Sequence, residues 1–135
     1  MGMKYIVGDD QNVDGGGKWR YVYCVEYQKD CPIGGLKMQF KGWSYRKVAY
    51  ALYYGALYYG YPCRYEPYST GDWQMDYFVT QVAVHILNGE FTLAAARNGM
   101  NKSNATTAEK NLAYDRISKI VAAANETSNY GGFYC

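Results

Sequence analysis

Between Asp72 and Gly89 lies the run Phe78-Val79-Thr80-Gln81-Val82-Ala83-Val84-His85. It reads as the middle of a helix from about Trp73 to Leu87, with Asp72 as the N-cap and Asn88-Gly89 as the stop. An apolar helix that spends a position on Gln81 needs an explanation, because a buried amide must find partners or cost free energy. One explanation is that Gln81 bridges polar groups inside the core. The other is that its carboxamide has become an acyl donor. Tyr77 and Phe78 lie one turn before Gln81, and Val84 and His85 one turn after, so rings and an aliphatic side chain wall it in.

The acyl reading needs a nucleophile, and Tyr23-Cys24-Val25 supplies one. Lys18 to Tyr27 alternates as a strand, with Trp19, Tyr21, Tyr23 and Val25 on one face and Arg20, Val22, Cys24 and Glu26 on the other. If the Cys24 thiolate displaced the ammonia of Gln81, a side chain-to-side chain thioester would remain. Tyr23-Cys24-Val25 resembles the aromatic-Cys-hydrophobic block of the thioester domains of Gram-positive surface adhesins. Thr80-Gln81-Val82-Ala83-Val84-His85 is similar to their Thr-Gln-x-Ala-x-aromatic block. Tyr59-Gly60-Tyr61-Pro62 resembles a turn that those domains carry between the two. The three fall in the family's order and span roughly residue 19 to Ala124. At the last position of the second block, where the family carries Trp, this chain has His85.

The resemblance implies a covalent adhesin. The Cys24–Gln81 thioester would be attacked by a Lys amine of a host extracellular protein such as fibrinogen, giving an intermolecular isopeptide bond. Tyr23, Tyr61, Tyr77, Phe78, Thr80, Ala83 and His85 would support the site. It would act once rather than turn over as an enzyme, as a monomer needing no cofactor. It would sit outside the cell, on a cell-wall-anchored protein or a pilus tip. Residues 1–135 then form a single thioester domain cut from a longer surface protein, with Met1-Gly2-Met3 as an expression start.

The totals agree with one domain: 135 residues suffice to bury a core. Charged residues make up 19% and the net charge is +2, with no dense Lys/Arg run, so nucleic acid and membrane surfaces have no electrostatic footprint here. No stretch is apolar for long enough to span a bilayer. The 17 Tyr supply stiff contact area with polar tips, which suits a wet extracellular surface. Cys24, Cys31, Cys63 and Cys135 show no CxxC spacing and only one His accompanies them, which argues against zinc. With Cys24 taken by the thioester, Cys31 and Cys63 are the favoured disulfide and Cys135 is the spare thiol.

Along the rest of the chain, Lys4 to Val7 reads as a strand and Asp9 to Gly17 as a Gly-rich loop. No Lys-Ser/Thr follows its glycines, so it lacks the phosphate-binding pattern. From Trp43 the period becomes helical, with Ser44 as N-cap and Tyr45, Val48, Ala49, Leu52 and Tyr53 on one face. Ala51-Leu52-Tyr53-Tyr54-Gly55 repeats at once as Ala56-Leu57-Tyr58-Tyr59-Gly60. Five residues turn a helix about 140° past one full turn, so the copies cannot share a face and Gly55 reads as a break. Phe91 to Asn98 reads as a short helix closed by Gly99. Thr106-x-x-Glu109 forms a capping box for a last helix buried through Ala113, Ile117, Ile120, Val121 and Ala124. The expected fold is α+β: a curled, mostly antiparallel sheet or barrel packed against a helical cluster.

Attack of a thiolate on an amide needs both groups held in near-attack geometry, which is worth up to about 7–11 kcal/mol of barrier. Thr80, His85 or backbone N–H groups are the candidate donors to the developing oxyanion, and His85 is a candidate base for the amine. Two rival functions remain. A disulfide-stapled extracellular module would bind sugar or peptide through Tyr and Trp. A Cys-His hydrolase would use Cys24, His85 and an Asn orienter, although Cys24 lies mid-strand rather than at a helix N-terminus.

Overall fold

In the computed structural model, the described residues are 6–9, 19–22, 47, 48, 50, 51 and 68–126. They comprise strands β1 (Ile6–Asp9) and β2 (Trp19–Val22), four helical residues among 47–51, and helices α1 (Trp73–Leu87), α2 (Leu93–Asn101) and α3 (Thr107–Asn125).

α1 begins where Asp72 accepts a hydrogen bond from the Gln74 N–H at 3.0 Å. Its burial is not confined to one stripe: nine residues, including Tyr77, Val79, Val82 and Val84, are buried. A helix buried on several faces is a central helix, wrapped by other elements. α3 supplies Ala113, Ile117, Ile120 and Ala124 to the same core, and Val48, Tyr50 and Ala51 close it from another side. Every buried core residue that is described lies on a helix.

This overturns the expected α+β fold. Among the described residues there is a helical cluster and no curled sheet or barrel. The strand pairing they contain is one antiparallel ribbon, with Ile6 opposite Val22 and Asp9 opposite Trp19. Two strands of four residues cannot form a layer that covers α1, since a lone hairpin is marginal in water. Helix-on-helix burial does that work. Within the described residues the strand runs past the expected end at Val7: Asp9, placed in the loop by its polarity, pairs with Trp19.

Two helical expectations shift. Tyr50 is buried although the periodic face drawn through Val48 omits it; Ala49, Leu52 and Tyr53 lie outside the described residues. α2 starts at Leu93, capped by Thr92, whose hydroxyl accepts from the Ala95 N–H at 3.1 Å. It also runs through Gly99 to Asn101. A helical Gly costs about 1 kcal/mol relative to Ala, but the added turn buries Met100 in the core, which outweighs it. α3 opens with the expected capping box: the Thr106 N–H donates to Glu109 Oε1 at 3.0 Å, and the Glu109 N–H to Thr106 Oγ1 at 3.1 Å. α2 is tied to α3 by Arg97, which lies over the Tyr114 ring at 4.8 Å and donates to the Lys110 carbonyl and to Asn111 Oδ1.

Candidate functional site

Gln81 sits in the middle of α1 and is only 9% exposed. One turn on, at the spacing that stacks side chains on one helix face, His85 is 3% exposed. Gln81 Nε2 lies 3.1 Å from His85 Nε2. An amide nitrogen can only donate, so the imidazole Nε2 is the acceptor and the ring proton resides on Nδ1. That proton goes to Glu90: His85 Nδ1 is 2.5 Å from Glu90 Oε2. The chain of contacts is therefore carboxylate, imidazole, amide, with each donor matched to an acceptor.

Local backbone chemistry makes this possible. Asn88 caps α1, and Gly89 follows with φ +78°, in the left-handed region that glycine adopts without strain. The Gly89 N–H donates to the Ile86 carbonyl and the Glu90 N–H to the His85 carbonyl, both at 3.0 Å. These are the two bonds of a Schellman motif, which usually brings together apolar side chains across the helix end. Here the two positions hold His85 and Glu90, and a polar pair replaces the apolar one.

The start of α1 is held by a second buried carboxylate. Asp76, 2% exposed, accepts from Ser69 Oγ, from the Thr70 N–H at 2.7 Å and from Thr70 Oγ1 at 2.6 Å. Three bonds to one carboxylate tie the segment before the helix to its first turn and fix the rotation of α1.

The sequence-derived site residues divide into three groups. Gln81 and His85 are brought together. Tyr77, Thr80 and Ala83 are buried on the same helix, and Phe78 is partly buried beside the core. Thr80 is removed from the candidate oxyanion donors: its hydroxyl donates to the Asp76 carbonyl at 2.8 Å, one turn back, and has no second proton. Ala83 packs in the core. Cys24, Tyr23, Tyr61, Cys31, Cys63 and Cys135 lie outside the described residues.

Glu90 and Asp76 were missed by the sequence reading. The signal for Glu90 was available: a Gly after the last helical residue fixes which side chain folds back beside the third residue from the end. Asp76 carries no such signal, because acidic residues are common in the first turn of any helix.

Below the site, α1, α2 and α3 enclose a cleft of about 760 Å³ lined by Met75, Phe78, Val82, Phe91, Met100 and Ala113, among others. Phe91 belongs to both places, because its ring also lies against His85, with centroids 5.7 Å apart and planes at 43°. Among the described residues no cluster of three His, Cys, Asp or Glu side chains could hold a metal ion. None of their helices is long and apolar enough to cross a membrane. Comparison with family models, with curated proteins and with solved structures finds no match to this chain.

Proposed function

We propose that this chain is a covalent adhesin domain whose Gln81 side chain is joined to Cys24 as a thioester and is transferred once to a Lys amine of a host extracellular protein. The observation that carries the reading is the buried Gln81 amide with the His85 imidazole at its nitrogen. Burial keeps water from an acyl group, and a base at the amide nitrogen stands where an amine must lose its proton. A Lys amine with an ordinary pKa near 10.4 is neutral only about one time in a thousand near neutral pH. A base within the site, together with prolonged binding of the partner, answers that shortage.

The domain would belong to the thioester domains of Gram-positive surface adhesins and act outside the cell on a cell-wall-anchored protein or pilus tip. It would work as a monomer, forming one bond rather than turning over. A Cys-His hydrolase draws some support from the same His85–Glu90 pair, with Glu90 in place of the Asn orienter. The imidazole nitrogen such an enzyme needs for its thiol is, however, occupied by Gln81.

The test is the intact mass of the unreduced protein. A thioester makes it short by one ammonia, methylamine then adds its full mass and leaves the chain one CH2 heavier than the uncondensed amide, and Cys24→Ala abolishes both effects. A mass reduced only by four hydrogens would instead indicate two disulfides and a non-covalent binding module. Repeated turnover of an ester or amide would indicate a hydrolase.

A further inference from the structure

We infer that Glu90 is a positioning residue for acyl transfer at Gln81, holding His85 in the one tautomer that can take a proton from the attacking amine; this rests on the thioester reading above. In the product, the amine nitrogen replaces the Gln81 amide nitrogen. His85 Nε2, 3.1 Å from that nitrogen, therefore faces the place where the new C–N bond forms. Its lone pair points there only while the ring proton is on Nδ1, and the Glu90 carboxylate at 2.5 Å keeps it there. Glu90 reaches this position through backbone geometry: the left-handed Gly89 and the Glu90 N–H bond to the His85 carbonyl fold it back over the helix end. His85 is buried and lies against Phe91, so the ring is held on both its polar edges and against one neighbouring ring.

The step balances within the site. The amine nitrogen bonds to the Gln81 acyl carbon, and its proton passes to His85 Nε2. The C–S bond breaks with its electron pair on Cys24 Sγ, and the imidazolium proton then neutralises the thiolate. Formation of the thioester is the reverse with ammonia in place of the amine: Cys24 Sγ attacks, the C–N bond breaks and ammonia leaves with the proton. One imidazole tautomer thus serves both directions.

The experiment compares two nucleophiles on the unreduced protein, followed by intact mass. Methylamine must shed a proton in attacking, whereas the thiolate of 2-mercaptoethanol has none to shed. Glu90→Gln can donate its own N–H to Nδ1 and so invert the tautomer. It is expected to slow methylamine uptake by about 10²-fold while leaving thiolate exchange unchanged. Glu90→Asp keeps a carboxylate and is expected to lose less. A folded Glu90→Gln protein, by circular dichroism, that retains its ammonia has no thioester for either nucleophile to open, and the comparison is then made on Glu90→Asp. Should Glu90→Gln fail to fold, Glu90→Asp with the same two nucleophiles decides, and an equal loss with both sinks the inference. Equal slowing of both nucleophiles in Glu90→Gln, or none, overturns the role of Glu90 and leaves the thioester standing. A wild-type mass that is not short by ammonia, with no methylamine uptake, overturns both.

Discussion

Thr80 and Gln81 are neighbours in sequence with opposite uses of their polar atoms. The Thr80 hydroxyl closes on its own helix, at the Asp76 carbonyl, whereas Gln81 reaches along the helix to His85. Thr80→Val is therefore expected to cost no more than about 1 kcal/mol of stability and, on the proposed thioester, to leave its mass loss intact, measured by denaturant unfolding and mass spectrometry. Loss of the thioester in Thr80→Val would return the hydroxyl to the chemistry. Asp76 should be far less tolerant. Asp76→Ala removes the carboxylate that accepts from the Thr70 N–H and from the Ser69 and Thr70 hydroxyls, leaving Thr70 Oγ1 its 3.3 Å bond to the Asp72 carbonyl. A total cost of about 1–3 kcal/mol, lowering the urea midpoint, is expected, because Ser69 and Thr70 are only half-buried and water can replace part of what is lost.

At the level of elements, the two ends of the helices carry the specific information. Gly89 adopts φ +78° with open space where a Cβ would stand, so Gly89→Ala meets no clash and suffers only the left-handed backbone penalty of about 1–2 kcal/mol. Because the same turn delivers Glu90 to His85, the variant should also slow methylamine uptake. Both effects are read from one preparation, by thermal unfolding and by mass. At the start of α3, Thr106→Ala should cost about 1 kcal/mol by unpairing the capping box. The Glu109 carboxyl is held below its ordinary value, first by its bond from the Thr106 backbone N–H and second by the Thr106 side chain. Its contribution is therefore complete above the ordinary glutamate value of 4.5 and fades as pH falls through the lower folded value. The stability difference between wild type and Glu109→Ala should shrink across that acid window, as followed by urea titrations at successive pH.

For the molecule as a whole, the main core among the described residues lies where α1 meets α3. Ile117 and Ile120 are fully buried there against a helix that is itself enclosed. Ile117→Ala should cost about 2–5 kcal/mol through lost burial and the cavity left behind, and amide exchange should be slowest in α1 and α3. If Ile117→Ala unfolded at the wild-type denaturant midpoint, the helical core described above would be wrong. The same enclosure that stabilises α1 leaves Gln81 only 9% exposed, as the proposed acyl chemistry requires.

The sequence alone determined the elements whose signals are local. α1 and α3 run where the caps Asp72 and Thr106 and the stop Asn88-Gly89 place them, because side chains and turns within four residues decide helix ends. It also singled out Gln81, since an amide inside an apolar helix must find partners, and His85 as a candidate base, while their contact was decided by the folded structure. Tertiary structure decided what covers that helix. Alternation at Trp19–Val22 looks the same whether a strand joins a broad sheet or a short ribbon, and only packing revealed helices rather than a barrel around α1. Packing likewise carried α2 past Gly99 to bury Met100, and set the Asp76 carboxylate inside. The cover over α1 and the burial of Met100 have no local pattern, because they are made by residues far apart along the chain that touch only once it is folded. Asp76 is held by partners only six and seven residues away, but nothing in their residue types marks that contact.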